Sequence, residues 1–199
     1  PIYIAGRGPK ILSLAGKMGD GVIAGAGLAS VSGMEYAKKH IQRGMEYSEI
    51  NSENLDIICW AFLSIADDRD TALDSVVDII ARIVKAVPLK TLEAIGIPKK
   101  DAEVVKRIED INMLELKEIR KTLTEEIVEQ FAIVGTAEEC LSHMEKLIEL
   151  VFKRNLLNKN GIIILHRNKT TKEKLPNYFK IVDERVYGIS KIIFGKLLS

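Results

Sequence analysis

Cysteine and histidine are scarce in this 199-residue chain, and their scarcity removes whole classes of function. The two cysteines, Cys59 and Cys140, and the three histidines, His40, His143 and His166, lie far apart in sequence. No Cys-x-x-Cys pair and no histidine at metal-ligand spacing occurs, so neither a zinc site nor a disulfide framework is expected. Both cysteines sit in apolar stretches and read as buried thiols in a reducing compartment. Long apolar runs are missing as well. The longest, Ile57 to Ala66, is about half of what a bilayer-spanning helix requires. No signal-peptide pattern is present. The expectation is a soluble, cytoplasmic protein with no membrane partner.

Net charge is almost absent, at +1, so the whole molecule has no pull toward nucleic acid. The charge is unevenly placed, however. Residues 153–199 hold 11 Lys/Arg against 3 Asp/Glu, a net of +8, and residues 1–152 carry −7. A basic tail can mark a nucleic-acid binder. This one lacks interleaved aromatics and any recognition motif, and a solvated basic face is the stronger reading. What the chain does have is 47% hydrophobic and 29% charged residues, the mix of a globular domain with a real core.

The pattern alternates strand and helix. Pro1-Ile2-Tyr3-Ile4-Ala5 reads as a short strand closed by glycine. Pro9 suits the first position of a helix, with Ile11, Leu14, Ala15 and Met18 as its apolar stripe. Val22-Ile23-Ala24 is a second strand, and Ser32 to about Glu46 a second helix buried through Met34, Ala37, Ile41 and Met45. Ile57 to Leu63 does not alternate, so it predicts a third strand covered on both faces. Asp67, Asp68 and Asp70 offer N-caps to a third helix. Its apolar side is Leu73, Val76, Val77, Ile80, Ile83, Val84 and Val87, and Pro88 ends it. Residues 89–131 are too long for a connection and predict a helical insertion. Thr136 to Glu139 is a capping box opening another helix. A fourth strand is expected at Gly161 to Leu165. A closing helix is expected along Phe179, Val182, Val186, Ile189, Ile193 and Leu197. This order predicts an α/β fold with parallel strands, either a small open sheet or half of a (β/α)8 barrel.

The chemistry-bearing element is the turn Gly6-Arg7-Gly8-Pro9. A strand, a glycine turn and a helix N-terminus together present unpaired N–H donors and partial positive charge, an arrangement suited to phosphate. The amides of Gly8, Lys10 and Ile11 are the candidate donors, with Arg7 and Lys10 adding charge. Taken alone, a short glycine turn also joins strand to helix in proteins that bind nothing. Gly25-Ala26-Gly27 repeats the logic after the second strand, with the same ambiguity. His166-Arg167, after the fourth strand, and Trp60 and Phe62, in the third, are weaker candidates. They read first as a surface pair and as core aromatics.

At this point the residues resemble a known family. Pro1 to Lys10, then Leu14-Ala15-Gly16 and Gly19-Asp20-Gly21-Val22, are similar to the bacterial-luciferase-like monooxygenase superfamily. Within it they look most like coenzyme F420-dependent oxidoreductases such as the methylenetetrahydromethanopterin reductases. Ser64 to Asp70 and Phe131 to Glu139 fit the same pattern. The resemblance implies the C-terminal half of a (β/α)8 TIM barrel, strands five to eight with a helical insertion. It implies one partial barrel domain over residues 1–199, with a divergent basic region from about residue 153. It further implies hydride transfer between F420, or alternatively FMN, and a small organic or pterin substrate. Ala5, Gly6, Arg7, Gly8 and Pro9 would line the phosphate side of that cofactor. The family's first four strands are not in this sequence, which leaves a fragment and a short native product both open. It also brings in an alternative, a non-catalytic half-barrel that pairs with itself or with a separate N-terminal half. The resemblance nominates no catalytic acid, base or nucleophile.

Overall fold

Strand β1 (Tyr3–Gly6) runs straight into helix α1 (Pro9–Met18), whose first position is Pro9, as the sequence predicts. The computed structural model describes residues 1–25, 30–48, 55–153, 161–170, 175, 177 and 179–197. They fall into two compact units, Pro1–Leu150 and Val151–Ser199.

In the first unit, β1 pairs in parallel with β2 (Gly21–Ala24), and β2 with β3 (Asp56–Cys59). The third predicted strand is in fact two. It breaks at Trp60 and Ala61, and β4 (Phe62–Ile65) pairs in parallel with β5 (Ala132–Gly135) instead. One run of chain thus serves two sheets. Strand β5, only four residues long, is not anticipated from the pattern.

Helix α2 (Val31–Met45) starts at Ser30, whose hydroxyl accepts from Gly33 N–H at 3.0 Å. Helices α1 and α2 cross at very close range. A Cβ on Gly16 would overlap the backbone of Ile41, and one on Gly44 the backbone of Ser13. That contact corrects the predicted stripe of α1. Its buried positions are Leu12, Ala15 and Gly16, while Ile11, Leu14 and Met18 face outward.

The third predicted helix is two, α3 (Arg69–Asp74) and α4 (Val77–Ala86), and all seven of its predicted apolar residues are buried. Residues 89–131 hold α5 (Leu89–Ala94), α6 (Lys99–Lys106), a 3-10 turn at Ile111–Met113, α7 (Leu116–Thr122) and α8 (Glu125–Phe131). Polar clips fasten these helices to their neighbours. Ser32 Oγ donates to the Ile95 carbonyl at 2.6 Å, and Lys106 Nζ to the last carbonyls of α4. Arg120 pairs with Asp70 and Asp74 of α3. Helix α9 (Ala137–Lys153) opens with the predicted capping box. Thr136 N–H donates to Glu139 Oε2 at 2.8 Å, and Glu139 N–H to Thr136 Oγ1 at 3.3 Å. One core joins these helices to the inner residues of the strands, among them Ile41, Ile80, Leu92, Ile127 and Phe131.

The second unit departs most from expectation. Its strands are β6 (Ile163–Asn168), β7 (Phe179–Tyr187) and β8 (Ser190–Leu197), in the antiparallel order β6-β8-β7. The predicted closing helix is therefore a hairpin, and the parallel arrangement expected throughout does not extend to this sheet. Gly188, at φ +58°, reverses the chain between β7 and β8. A two-residue connection can only join antiparallel strands.

Candidate functional site

Ala5 and Gly6 end β1, Arg7 and Gly8 make the turn, and Pro9 begins α1. All five predicted residues therefore lie together at the carboxyl end of a parallel sheet, where crossover connections leave a crevice for ligands. Ala5 is exposed and paired with Ile23 of β2; Gly6 is paired with Ala24. Arg7 is exposed.

Gly8 is the N-cap residue of α1, in extended backbone at φ −84° and ψ 152°, and no side chain caps the helix there. The first bond of the helix is Leu12 N–H to the Gly8 carbonyl at 3.0 Å. The N–H groups of Lys10 and Ile11 precede it, so the helix itself supplies them no acceptor. A Cβ on Gly8 would meet nothing within 4 Å. Among the described residues, then, nothing stands where a side chain of Gly8 would point, and no side chain caps the positive end of the helix beside it. Gly6 is different, because a Cβ there would overlap the Ile11 side chain. One glycine of the turn permits packing, and the other leaves room.

Two further segments reach the same end of the sheet. Gly25 N–H donates to the Gly6 carbonyl at 2.8 Å, placing the start of the second glycine turn against the first. Ala26 and Gly27 of that turn lie outside the described residues. Trp60 follows β3, its N–H donating to the Ala24 carbonyl at 3.4 Å. Its side chain is 60% exposed, so the reading of Trp60 as core is corrected; Phe62 packs on the core as expected. Cys59 is likewise exposed, while Cys140 is buried. The strand is covered less than its apolar run implied.

The neighbouring pair β4 and β5 ends beside a charged cluster that sequence reasoning missed. Arg69, at the start of α3, donates from Nε to Glu125 at 2.9 Å and from Nη2 to Glu129 at 2.7 Å. Its Nη1 donates to the Val134 carbonyl at 3.2 Å and lies 3.8 Å from Glu139. The hydrogen bonds it donates to Glu125 and Glu129 push its pKa further up, so it is a fixed cation. Asp68 caps α3 by accepting from Thr71 N–H at 2.8 Å, and that bond holds its carboxyl below the usual range. Only Asp68, one of the three N-cap candidates, was visible in advance; Glu125, Glu129 and Glu139 converge on Arg69 through tertiary structure.

At the opposite, amino end of the first sheet, Tyr3 crosses over Gly21 to donate to Asp56 Oδ2 at 2.9 Å. That bond raises the Tyr3 pKa. His166 and Arg167, expected in a loop near the glycine turns, are instead interior positions of antiparallel strand β6, opposite Ile192 and Lys191. Among the described residues no His/Cys/Asp/Glu group has the arrangement of a metal site, and no helix is long and apolar enough to cross a membrane.

Comparison with known proteins agrees with this geometry. The sequence profile of luciferase-like monooxygenases matches residues 1–154. The 5,10-methylenetetrahydromethanopterin reductase of Archaeoglobus fulgidus is 30% identical over 151 residues, covering 74% of this chain and 44% of that protein. The enzyme of the same name from Methanolobus tindarius is 29% identical, covering 75% and 45%. The coenzyme F420-dependent tetrahydromethanopterin reductase of Methanopyrus kandleri shares the fold, with a TM-score of 0.59 and 24% identity over 75% of this chain and 42% of that one. The chain thus spans less than half the length of the relatives it matches. With the profile covering every element from β1 to α9, the chain belongs to the luciferase-like monooxygenase family.

Proposed function

We propose that this chain is the cofactor-phosphate half of an F420-dependent oxidoreductase, folded as strands five to eight of a (β/α)8 barrel. In this reading β1 and β2 are the fifth and sixth strands, β3 with β4 the seventh, and β5 the eighth. Residues 89–131 form the insertion, and residues from about 153 form a divergent addition. The observation that carries the proposal is the turn at Gly8, at the carboxyl end of parallel strands, where among the described residues a Cβ would meet nothing and no side chain caps the helix. The residues fit a phosphate-bearing cofactor. The amides of Lys10 and Ile11 would hold the phosphate, Arg7 would add charge from its exposed side chain, Gly8 would leave room for it, and Ala5, Gly6 and Pro9 would shape the turn beside it.

Bound F420 would supply the hydride chemistry to a small organic or pterin substrate; the protein supplies binding and orientation. Titration of the chain with F420 and with FMN, followed by fluorescence and equilibrium dialysis, tests the reading. Saturable F420 binding that inorganic phosphate competes away is expected. Binding of neither cofactor, with or without a first-half partner from a relative, removes the proposal. Saturation by FMN alone keeps the site and changes the cofactor.

A second reading is a non-catalytic half-barrel that assembles with an N-terminal half. Its specific support is the face of β4 opposite Phe62, where Leu63 and Ile65 are exposed. Apolar area of this kind is costly in water unless something covers it. Light scattering on a mixture of this chain with a relative's first half tests it, with a 1:1 complex as the expected result.

A further inference from the structure

Among the described residues, the three-stranded sheet of the second unit leaves β7 at a lateral position, paired with β8 alone. Every residue of β7 from Lys180 to Tyr187 is exposed, including Val182, Val186 and Tyr187. At nine residues, the strand offers a long row of backbone donors and acceptors. Natural proteins blunt such an edge with proline, a covering element, charged side chains or a bulge; among the described residues β7 has no proline and no covering strand, and its guards are the charges of Lys180, Asp183, Glu184 and Arg185 and the bulge between Ile181 and Asp183.

Its hydrogen-bonding phase follows from the turn. Tyr187 and Ser190 face each other across the two-residue turn, so they form a hydrogen-bonded pair. Alternation then makes Arg185 with Ile192 a hydrogen-bonded pair as well, and turns the backbone groups of Glu184 and Val186 outward.

The sequence along that edge is self-complementary. Asp183 and Arg185 flank Glu184 and lie on one face, where Arg185 Nε donates to Asp183 Oδ2 at 2.8 Å. An antiparallel copy centred on Glu184 would put Asp183 opposite Arg185 of the second copy, and the reverse. Opposite charges directly across strands are favourable, and a two-fold axis makes both pairs at once. An unrelated peptide would need to bring this complement; a second copy of the chain always does.

We propose that β7 pairs with β7 of a second copy about Glu184, giving a symmetric dimer with one six-stranded antiparallel sheet. The dimer is independent of cofactor binding. Its weak point is the axis itself, where Glu184 faces the same residue of the other copy and the like charges oppose association.

The test is independent of activity: multi-angle light scattering and analytical ultracentrifugation of the full chain across a concentration series. The wild-type chain is expected to show a reversible dimer. Val186→Pro removes an outward N–H and spares the β7–β8 ladder, so it should give a monomer with an unchanged circular dichroism spectrum. Arg185→Asp should weaken the dimer on the order of tenfold, and the swap Asp183→Arg with Arg185→Asp should restore it. Glu184→Gln should tighten it. A wild-type chain that stays monomeric throughout overturns the proposal. So does a dimer that ignores Val186→Pro and the charge reversal, which would place the contact on another surface. Should Val186→Pro fail to fold, the reversal and its swap decide alone.

Discussion

Alanine at Gly8 separates what the glycine turn does for the fold from what it does for a ligand. Gly8 has extended backbone at φ −84°, a conformation open to any residue, and a Cβ there meets nothing within 4 Å. Gly8→Ala should therefore leave the folded state unstrained while restricting the unfolded chain, a gain of about 0.4–1 kcal/mol. Any phosphate lying on the Lys10 and Ile11 amides, however, would share that open space with the new methyl. Overpacking of this kind costs about 1–3 kcal/mol, or roughly 5- to 150-fold in Kd. Gly6→Ala is the control. Its Cβ overlaps Ile11, so it should destabilise the fold by about 1–3 kcal/mol before any ligand is added. Urea unfolding and F420 titration of both variants are the assays. F420 affinity within about twofold of wild type for Gly8→Ala would refute the placement of phosphate at this turn, and loss of stability would refute the geometry.

Three further outcomes are expected. Gly16→Ala and Gly44→Ala should each lower stability by at least about 1–3 kcal/mol in urea, because a Cβ at either position meets backbone of the facing helix and not a movable side chain. Tyr3 has its pKa raised in the fold by the bond to Asp56, so its contribution is whole below the unfolded pKa near 10 and is lost as pH rises through the folded value. Tyr3→Phe should flatten that alkaline fall in melting temperature. Arg69→Ala should cost about 1–2 kcal/mol by thermal unfolding, reduced by the exposure of its partners Glu125 and Glu129, and Arg69→Lys should recover little because one ammonium cannot reach Glu125, Glu129 and the Val134 carbonyl together.

Local signals were the readable ones. Pro9 at a helix start, the Thr136–Glu139 capping box and the seven apolar residues from Leu73 to Val87 each depend on neighbours within a turn or two, and each appears where expected. The buried face of α1 was hidden because it depends on Gly16, a residue whose burial adds no hydrophobic signal, while Ile11, Leu14 and Met18 offered a better-looking stripe. The β7–β8 hairpin was misread because Phe179, Val182, Val186, Ile189, Ile193 and Leu197 recur at spacings of three and four, as a helix would. The β-branched residues and Gly188 were the contrary signals, and the positive φ of Gly188 is what reverses the chain. Of the candidate site, the glycine turn was legible from its own residues. Its setting was legible in part: the turn beginning at Gly25 was expected after the second strand, whereas Trp60, read as core, reaches the site only through the register of β2 and β3.

The break between β3 and β4 has a practical consequence through Trp60. The chain contains a single tryptophan, and it stands exposed at the end of the sheet that carries the glycine turn. Intrinsic fluorescence is therefore a label already built into this part of the molecule. Its emission will follow ligands approaching that end, and a solvent-exposed indole in the native state will give only a small change on unfolding. Denaturation is better followed by circular dichroism, and the indole kept as the reporter of what arrives at the sheet.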